Sequence, residues 1–569
     1  MNIEILLFKE ILIFPELFLG ICIIYITLHA TFLAIQKKYP LIQSSVLYLS
    51  ILVLFFASYL VYNEHLNVVE ISCLNNTYIS DYISFVSKLV IGSLSVFCLL
   101  MMHSYILNQQ INNFEYFLLF LFSVLGLFLL CSSNDLLTAY LAIELQSLSF
   151  YVLAAFKKNS TFSVDAGIKY FILGAFASSM FLFGSSLLYG LTGSVSFADY
   201  QILFLNTVPG QNVVSINFYE VIEDVFQQTG FLVCVEYPNL AWIFSTEIGT
   251  ICSFFDCQYD LKEIYVNFCY LDESVDTIKD KVFDVSLVKF SLIFILIALF
   301  FKLTVAPFHI WAPDVYEGSP SSSTFFFSVV PKLAIFVLLI RIFYFSFYGF
   351  VDSWRHFVVF IVIFSIMIGS FGGLDQRKLK TLLVYSTISH MGYSLIAFSA
   401  GTFESLQMLL SYLIVYSFSG LCIWSIFMLT KIKNTYTQKQ NKDLTDLVLL
   451  GKSNYMLAIF FTTVLFSVAG FPPMIGFLVK MGVFLTAIEA SMYFVALISI
   501  LCSVIGTFYY LRLIKILYFE KVIVGKLYYP ISSQSSLLIT LLFFLFLFLF
   551  CNPTLLFLVS QKLSLLIFF

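Results

Sequence analysis

Apolar stretches of about 20 residues recur along this chain from its first residues to its last. A helix of about 20 apolar residues crosses a hydrocarbon core of roughly 30 Å, so each stretch is long enough to span a membrane. The chain has 569 residues, of which 60% are hydrophobic and 11% charged, whereas soluble proteins carry roughly 25% charged residues. We therefore predict an all-α integral membrane protein with lipid as its main solvent.

Polar breaks separate about fourteen predicted transmembrane helices, called here spans one to fourteen. Their approximate bounds are 11–35, 42–62, 83–107, 114–131, 135–156, 165–190, 285–311, 322–347, 356–373, 379–400, 405–430, 454–485, 490–516 and 534–559. Lysine and arginine cluster in the loops that follow odd-numbered spans, at Lys37, Lys38, Lys157, Lys158, Arg377, Lys378, Lys380, Lys431, Lys433, Lys439, Lys442, Lys452, Arg512, Lys515, Lys521 and Lys526. By the positive-inside rule these loops face the matrix or cytoplasm, and both termini are expected on the opposite side.

One long polar segment, about 200–284, interrupts the spans and is rich in acidic residues. It follows span six, which places it on the side of the termini. We interpret it as a solvated insertion that contacts neighbouring subunits, since long loops are usually functional or disordered. Its cysteines are expected to be free thiols rather than a disulfide, although a disulfide is left open; they are Cys234, Cys252, Cys257 and Cys269.

Two spans carry prolines in mid-membrane. Span seven contains Pro307 and Pro313, and span twelve contains Pro472 and Pro473. Proline removes a helical hydrogen bond, and broken backbone at membrane depth is tolerated only inside protein or beside a watery cavity. Two broken spans five helices apart predict two inverted five-helix repeats, spans 4–8 and 9–13, with an ion site at mid-membrane.

These features divide the chain into four predicted parts. An N-terminal three-helix segment covers 1–113, and the first repeat covers 114–347 with the insertion inside it. The second repeat covers 356–516, and a C-terminal loop and helix cover 517–569.

Several classes of function are excluded by motif and charge. The net charge of −4 gives no reason to expect nucleic acid as a partner. Cysteine and histidine spacing fits no zinc or iron–sulfur site, and no Gly-rich nucleotide-binding motif is present. Any redox chemistry must therefore belong to another chain.

Four ionisable residues lie in the middle of strongly apolar spans: Glu144, Lys302, Lys332 and Lys480. Each costs at least roughly 2.5–3.5 kcal/mol to insert into a membrane, so each needs a reason. A buried lysine whose proton affinity changes with the distance of an acidic neighbour is a switchable proton site. The alternative is a static Glu144–Lys302 ion pair, but the three lysines outnumber the single acid. We therefore favour a proton relay.

Three further candidates are weaker. Lys169 lies about one turn inside span six, where it belongs to the relay or extends to the surface. His309 follows Lys302 by seven residues but comes after Pro307, and His390 lies in mid-span; a neutral imidazole can pass a proton in both directions. Asp314 and Glu317 are expected to anchor a loop.

Five segments resemble one family closely: 133–156, 167–194, 301–323, 382–393 and 469–484, the third reading FKLTVAPFHIWAPDVYEGSPSSS. They are similar to the antiporter-like subunits of complex I, the proton-pumping NADH:quinone oxidoreductase, and within these to the chain 2 family, called subunit N in bacteria. Lys480 and the WAPDVYEG run favour chain 2 over chains 4 and 5. The acidic insertion departs from the family pattern.

The resemblance implies roles for the buried charges. Glu144 and Lys302 are the pair between spans five and seven, Lys332 is the central lysine, and Lys480 is the lysine on the exit side. Lys169 and His309 also match positions that the family associates with activity. A signal that separates Glu144 from Lys302 is expected to drive a proton by way of Lys332 towards Lys480.

The resemblance also implies partners and location. This chain is expected to bind no cofactor or metal, while NADH, FMN, iron–sulfur clusters and ubiquinone are used in other subunits; a bound phospholipid is compatible with it. Its partners are other membrane-arm subunits and the bilayer. The 68 phenylalanines, typical of an AT-rich genome, and the absence of a transit peptide favour a mitochondrially encoded protein of the inner membrane.

Three other functions stay open at this point. A cation/proton antiporter subunit shares the fold and the buried lysines. The plastid counterpart of complex I, with plastoquinone as acceptor, fits the sequence as well. A purely structural membrane subunit would use its buried charges only to fix helix register.

Overall fold

The computed structural model describes residues 12–35, 39–63, 71–108, 113–205, 284–433, 438–440, 443–448, 450–520, 528 and 531–568. The chain divides into two units, one formed by Met1–Phe204 with Leu287–Phe569 and the other by Leu205–Ser286. Most of the second unit lies outside the described residues, and so do the four cysteines of the insertion. The predicted role of the insertion and the state of those cysteines therefore stay predictions.

The prediction of an all-α membrane protein with about fourteen spans is confirmed. Within the described ranges, twelve helices are long and apolar enough to cross a membrane, and Leu379–Ala400 and the two halves of span twelve add the remaining two spans. Spans one to six are Phe14–Ile35, Tyr39–Asn63, Tyr82–Asn108, Glu115–Ser132, Leu136–Ala154 and Thr161–Thr192. Spans nine, ten, eleven, thirteen and fourteen are Val351–Leu374, Leu379–Ala400, Phe403–Leu429, Tyr493–Tyr518 and Ser533–Cys551.

The remaining three spans are interrupted. Span seven consists of Val285–Lys302 and Trp311–Gly318, and span twelve consists of Tyr455–Ala469 and Ile475–Glu489. Span eight consists of Ser321–Val329, Pro331–Ile340 and a π-helical turn, Arg341–Ser346. The first two breaks were predicted from proline, whereas the interruption of span eight was not.

The helix packing repeats between the two halves. Spans four and five lie against each other along their length, and spans nine and ten do the same. Span six packs on the second half of span seven, as span eleven packs on the second half of span twelve. Span four contacts span eight, and span nine contacts span thirteen. These matched contacts agree with two five-helix repeats of spans 4–8 and 9–13.

Short elements close the ends of the bundle. Two antiparallel hairpins pair Ile71–Cys73 with Tyr78–Ser80 and Lys431–Lys433 with Gln438–Gln440. Short helical segments, in the order of the chain, are Phe197–Leu205, Tyr348–Phe350, Leu444–Leu447 and Leu450–Ser453. The Tyr78–Ser80 strand bridges to Ser133, at the start of span five.

The chain ends with two helices where one span, 534–559, was predicted. Span fourteen stops at Cys551, and a second helix, Thr554–Phe568, packs on spans eleven and three. Pro553 lacks an N–H and disfavours helical backbone in the residue before it, so the helix stops there. The carbonyl of Phe557 in the second helix accepts a hydrogen bond from Gln407 Nε2 at 3.4 Å.

A buried ion pair joins spans one and three. Lys88 Nζ lies 2.5 Å from Glu16 Oε1, and both side chains are almost fully buried. The Tyr78 hydroxyl accepts from Lys88 Nζ at 2.6 Å and lies 3.1 Å from Glu16 Oε1. Breaking such a pair leaves a buried charge without compensation, which costs about 3–5 kcal/mol. This cluster therefore attaches the N-terminal three helices to the hairpin beside span five.

Candidate functional site

Glu144 and Lys302 face each other from spans five and seven without forming an ion pair. Among the described residues, no lysine or arginine nitrogen lies within 4.0 Å of the Glu144 carboxylate. Glu144 Oε1 is buried without a hydrogen-bond partner, and Oε2 accepts a long bond from Ser147 Oγ at 3.4 Å. The interpretation of these residues as a static ion pair does not hold in this structure.

Lys302 is the last residue of the first half of span seven and donates to a tyrosine. Its Nζ lies 3.3 Å from the Tyr151 hydroxyl. Tyr151 follows Glu144 by seven residues on span five, two helical turns further on the same face. The Tyr151 hydroxyl thus provides the lysine with a partner beyond the carboxylate.

The backbone carbonyls at the end of the helix before the break receive hydrogen bonds from residues within the break. Thr304 N–H donates to the Phe301 carbonyl at 3.1 Å, and Val305 N–H donates to the Phe300 carbonyl at 3.1 Å. Trp311 Nε1 adds a second bond to the Phe301 carbonyl at 3.2 Å. Buried backbone groups need such partners where a helix ends in an apolar medium. The lysine is therefore held at a fixed helix end.

A cavity connects Lys302 with span eight. It has a volume of about 20 Å³ and is lined by Ser147, Gln146 and Lys302 on one side and by Pro331 on the other. A cavity of this size with polar lining groups has room for about one water molecule. It therefore provides a water site between Lys302 and the second half of span eight.

Lys332 lies directly after Pro331, where the second half of span eight begins. It is 2% exposed, and its Nζ donates to the Tyr416 hydroxyl of span eleven at 2.9 Å. Proline is well suited to the first position of a helix because its missing N–H has no helical partner there. At this interruption the lysine side chain therefore contacts span eleven rather than the backbone of its own helix.

His390 on span ten is bonded through both ring nitrogens. Nδ1 lies 2.6 Å from the Tyr412 hydroxyl, and Nε2 lies 3.2 Å from the Tyr510 hydroxyl. Its ring centroid is 5.6 Å from that of Tyr416, the partner of Lys332. A neutral imidazole donates through one nitrogen and accepts through the other, so this histidine can connect the two tyrosines in either direction.

Lys480 on span twelve caps the break in its own span. Its Nζ donates to the carbonyls of Val468 at 2.7 Å and Ala469 at 3.0 Å, at the end of the first half. A cation at a helix C-terminus is favoured by the aligned peptide dipoles. Gly470 turns the chain with φ +88°, and a Cβ there would lie 2.9 Å from Lys480 Cδ. Glycine suits this turn because other residues rarely adopt a positive φ.

Two further cavities lie between His390 and Lys480, and both residues line each of them. One has a volume of about 20 Å³ and also includes Tyr412 and Tyr416. The other has a volume of about 10 Å³ and includes Tyr510. Lys332, His390 and Lys480 therefore belong to one connected polar interior.

The weaker candidates lie elsewhere. Lys169 pairs with Asp314 at 2.5 Å, with both side chains more than half exposed. His309 lies in the break of span seven, and its Nδ1 is buried without a hydrogen-bond partner among the described residues. Neither residue contacts the buried lysines, and their place in the relay stays a prediction.

The anchoring role expected of two acidic residues is seen in the structure. Glu317 pairs with Lys378 in the same way as Asp314 pairs with Lys169. Pro313 lies in the first turn of Trp311–Gly318 rather than in the break itself.

The tyrosines were missed by the sequence reasoning. Tyr151, Tyr412, Tyr416 and Tyr510 each place a hydroxyl against a buried lysine or histidine. The chain has 34 tyrosines, and nothing in their local sequence separates these four from packing residues. Arg341, which donates to Asp81 at 2.7 Å near the end of span eight, was missed as well.

The helix arrangement and its buried lysines define a class of membrane protein. A family model described as the transmembrane part of NADH:quinone oxidoreductase and Mrp antiporters matches residues 133–226 and 262–506, more than half of the chain. The fold is similar to a chain of respiratory complex I from Thermus thermophilus, with a TM-score of 0.69 and 23% identity over 96% of this chain and 99% of that one. A chain of the Mrp complex from Dietzia sp. DQ12-45-1b is similar as well, with a TM-score of 0.72 and 16% identity over 98% and 97% of the two chains. The molecule thus has the antiporter-like fold.

Sequence similarity identifies the family within that class. NADH-ubiquinone oxidoreductase chain 2 of Marchantia polymorpha is 33% identical over 97% of this chain and 98% of the relative. NADH-quinone oxidoreductase subunit N of Parvibaculum lavamentivorans is 33% identical over 83% and 82%. The chain belongs to the chain 2, or subunit N, family of NADH:quinone oxidoreductase.

Proposed function

We propose that this membrane-arm subunit of proton-pumping complex I carries protons through Glu144, Lys302, Lys332, His390 and Lys480. The observation that supports the proposal most directly is the connected interior. Cavities and tyrosine hydroxyls join spans five, seven, eight, ten and twelve, and each of the three lysines lies beside a helix break. Charges placed at such cost in a membrane interior are typical of proton pathways.

The first repeat is the proposed control point. Glu144 and Lys302 are near each other but unpaired, so a small movement changes their interaction strongly in a low-dielectric interior. A signal that moves the carboxylate away from Lys302 lowers the lysine's affinity for its proton and releases it into the cavity that leads to Lys332. Lys169 and His309 would serve proton entry near span seven.

Redox chemistry is proposed to remain outside this chain. NADH oxidation and quinone reduction, with FMN and iron–sulfur clusters, belong to other subunits, and this chain contributes proton translocation to the proton-translocating NADH:ubiquinone reductase. We place the chain in the mitochondrial inner membrane with both termini on the intermembrane side, because the basic loops follow odd-numbered spans. The acidic insertion would contact subunits on that side.

The test is proton translocation in membranes that contain the assembled complex. Lys302→Met and Lys480→Met should each reduce NADH-driven proton translocation about 100-fold, within the range of a positioned proton-transfer group. Lys289→Met, in the same span as Lys302, is the matched control and should leave translocation unchanged. Normal translocation in both relay variants would refute the proton pathway and favour a structural subunit.

Native gel electrophoresis separates this proposal from the antiporter alternative. If peptides of this chain run in a large band that oxidises NADH, membership in complex I is supported. Peptides in a smaller band that does not oxidise NADH, with sodium-dependent proton exchange, would favour the antiporter.

A further inference from the structure

The strongest additional feature is a row of tyrosine hydroxyls in the gap between Lys332 on span eight and Lys480 on span twelve. Lys332 and Lys480 share no hydrogen bond, and each uses other partners. Between them lie His390 and the hydroxyls of Tyr416, Tyr412 and Tyr510. Buried tyrosines of this kind either pack the core or transfer protons.

We propose that Tyr416, Tyr412 and Tyr510 are the proton-transfer groups that connect Lys332 with Lys480 through His390. The inference rests on the proposed proton-pumping function and assigns its route in the second half of the chain. It also explains why both nitrogens of His390 are bonded to hydroxyls rather than to backbone carbonyls or a carboxylate.

The first step joins Lys332 to the central cavity. Lys332 Nζ donates to the Tyr416 oxygen at 2.9 Å. Tyr416 lines the cavity of about 20 Å³ with Tyr412 and His390, which has the size and the polar groups to hold one water. The Tyr416 hydroxyl makes a long bond to the Ser328 carbonyl at 3.5 Å, so it must first rotate towards a water in that cavity. As the lysine proton then moves to the Tyr416 oxygen, the hydroxyl proton of Tyr416 moves to that water. Tyr416 ends neutral, and the proton passes on.

The second step passes through the imidazole. The water transfers a proton to the Tyr412 oxygen, and the Tyr412 hydroxyl proton moves to Nδ1 over 2.6 Å. The proton on Nε2 leaves for the Tyr510 oxygen over 3.2 Å. The Tyr510 proton moves to a single water in the cavity of about 10 Å³ that Lys480 also lines. That water protonates the neutral amine of Lys480.

The net result of these transfers is that one proton passes from Lys332 to Lys480. Each tyrosine keeps one hydrogen, and His390 stays neutral but exchanges the nitrogen that carries its hydrogen. Rotation of the hydroxyls and return of the imidazole to its first tautomer must precede the next transfer. A phenol loses its proton in water only near pH 10, so a step that keeps every tyrosine neutral avoids that cost.

A phenylalanine at any of these positions keeps the ring and removes the hydroxyl. Tyr412→Phe and Tyr510→Phe should each lower NADH-driven proton translocation about tenfold or more, a modest loss against the roughly 10²–10⁴ of a positioned proton-transfer group. The matched control is Tyr344→Phe, since Tyr344 is a buried tyrosine whose hydroxyl donates to the Phe398 carbonyl away from this route. It should leave the rate unchanged.

A second variant separates proton transfer from packing. In His390→Gln, the amide can still donate to one tyrosine and accept from the other, so the contacts are preserved, but an amide does not exchange protons as an imidazole does. It should reduce translocation as strongly as Tyr412→Phe while the complex assembles in normal amount. The isotope effect, the ratio of the translocation rate in H₂O to that in D₂O, should also be smaller in the slowed tyrosine variants than in the wild type. In these variants the proton has to pass through water alone rather than through the linked transfers of the hydroxyls and the imidazole.

The two proposals fail in different ways. Normal translocation in Tyr412→Phe, Tyr510→Phe and His390→Gln, with arrest in Lys302→Met and Lys480→Met, would overturn the tyrosine route and the place of His390 in the pathway. Proton transfer through the buried lysines would still stand. Normal translocation in the lysine variants as well would overturn the proposed function itself. If a phenylalanine variant does not assemble, the His390→Gln result decides the route.

Discussion

The two five-helix repeats have the same arrangement of helices but differ in how they hold the ionisable groups of two matched span pairs, five with seven and ten with twelve. In the first repeat, Glu144 and Lys302 are partly exposed and unpaired, and one carboxylate oxygen has no partner. In the second repeat, His390 and Lys480 are buried, with two hydrogen bonds each. The same fold therefore provides one loosely held acid–base pair and one firmly held pathway.

The difference indicates where each half can respond. Buried groups whose hydrogen bonds are all made are costly to move, because each unmade bond costs about 1–3 kcal/mol. Glu144 has little to lose when it moves. The first repeat is thus suited to receive a signal, and the second is suited to conduct a proton along fixed partners.

The largest expected contrast in stability is between the two break lysines. Lys480→Met leaves the carbonyls of Val468 and Ala469 without their donor and should destabilise the chain by about 2–6 kcal/mol, at 1–3 kcal/mol for each lost partner. Lys302→Met removes one long bond to Tyr151 and should cost less than about 1 kcal/mol. Thermal unfolding of the purified complex, followed by loss of this chain from it, measures both. Equal losses of stability in the two variants would show that Lys302 is held as firmly as Lys480.

The next contrast concerns the polar groups of spans five and ten. Glu144→Gln should leave thermal stability nearly unchanged, because the carboxylate makes one long bond. His390→Leu removes one hydrogen-bond partner from Tyr412 and one from Tyr510, and should cost about 2 kcal/mol. The same unfolding assay applies, and a large destabilisation by Glu144→Gln would show that the acid is firmly held after all.

The turns at the two breaks provide a third comparison. Gly470 has φ +88° and faces Lys480, so Gly470→Ala should destabilise the chain by about 1–2 kcal/mol from backbone strain alone. Thr304 occupies the turn of the first break with φ +64° and a buried hydroxyl that lacks a partner. Thr304→Gly should therefore stabilise the chain or leave it unchanged. Stabilisation by Gly470→Ala would contradict this account of the second break.

The smallest expected effect concerns the residues that begin spans five and ten. Asp135 precedes span five, where burial and then the nearby Asp199 raise its pKa to about 6, whereas Lys378 precedes span ten and pairs with Glu317. A raised pKa means that the folded chain holds the proton more tightly than the unfolded chain. This stabilising contribution is present below about pH 4 and is lost as the pH rises through about 6.

The corresponding variant is Asp135→Asn. It should abolish this part of the pH dependence and stabilise the chain at pH 8 by about 1 kcal/mol. Unfolding temperatures measured from pH 5 to pH 8 test it. The opposite result would be a wild-type chain that becomes more stable from pH 5 to pH 8 while the stability of the variant stays constant. It would show that the pKa of Asp135 is lowered by folding rather than raised.

Much of the fold could be predicted because membrane insertion leaves a strong pattern. Span lengths follow from bilayer thickness, and the breaks in spans seven and twelve follow from Pro307, Pro472 and Pro473. The interruption of span eight was not predicted, although Pro331 stands there, since a proline at the first turn of a helix looks the same in sequence as one that bends a continuous span. The end of span fourteen was missed for the same reason, at Pro553.

The candidate site was predictable in its charges and not in its connections. Glu144, Lys302, Lys332 and Lys480 stand out because each is costly in lipid. Tyr412 and Tyr510 do not stand out, because a tyrosine in an apolar span can serve either as a packing residue or as a hydrogen-bonding residue. Glu144 and Lys302 do not form an ion pair. This outcome depends on the distance between side chains of two different spans, which cannot be read from the pattern of residues along the chain.

The anchoring of Lys480 has a consequence for the helix break when its charge changes. A protonated amine offers three hydrogens, and two of them are directed to the carbonyls of Val468 and Ala469. After loss of one proton the neutral amine still offers two, which is the number that the carbonyls require. The backbone at the break can therefore keep the same shape through every cycle, and the third hydrogen is free to be exchanged with the cavities that Lys480 lines together with His390.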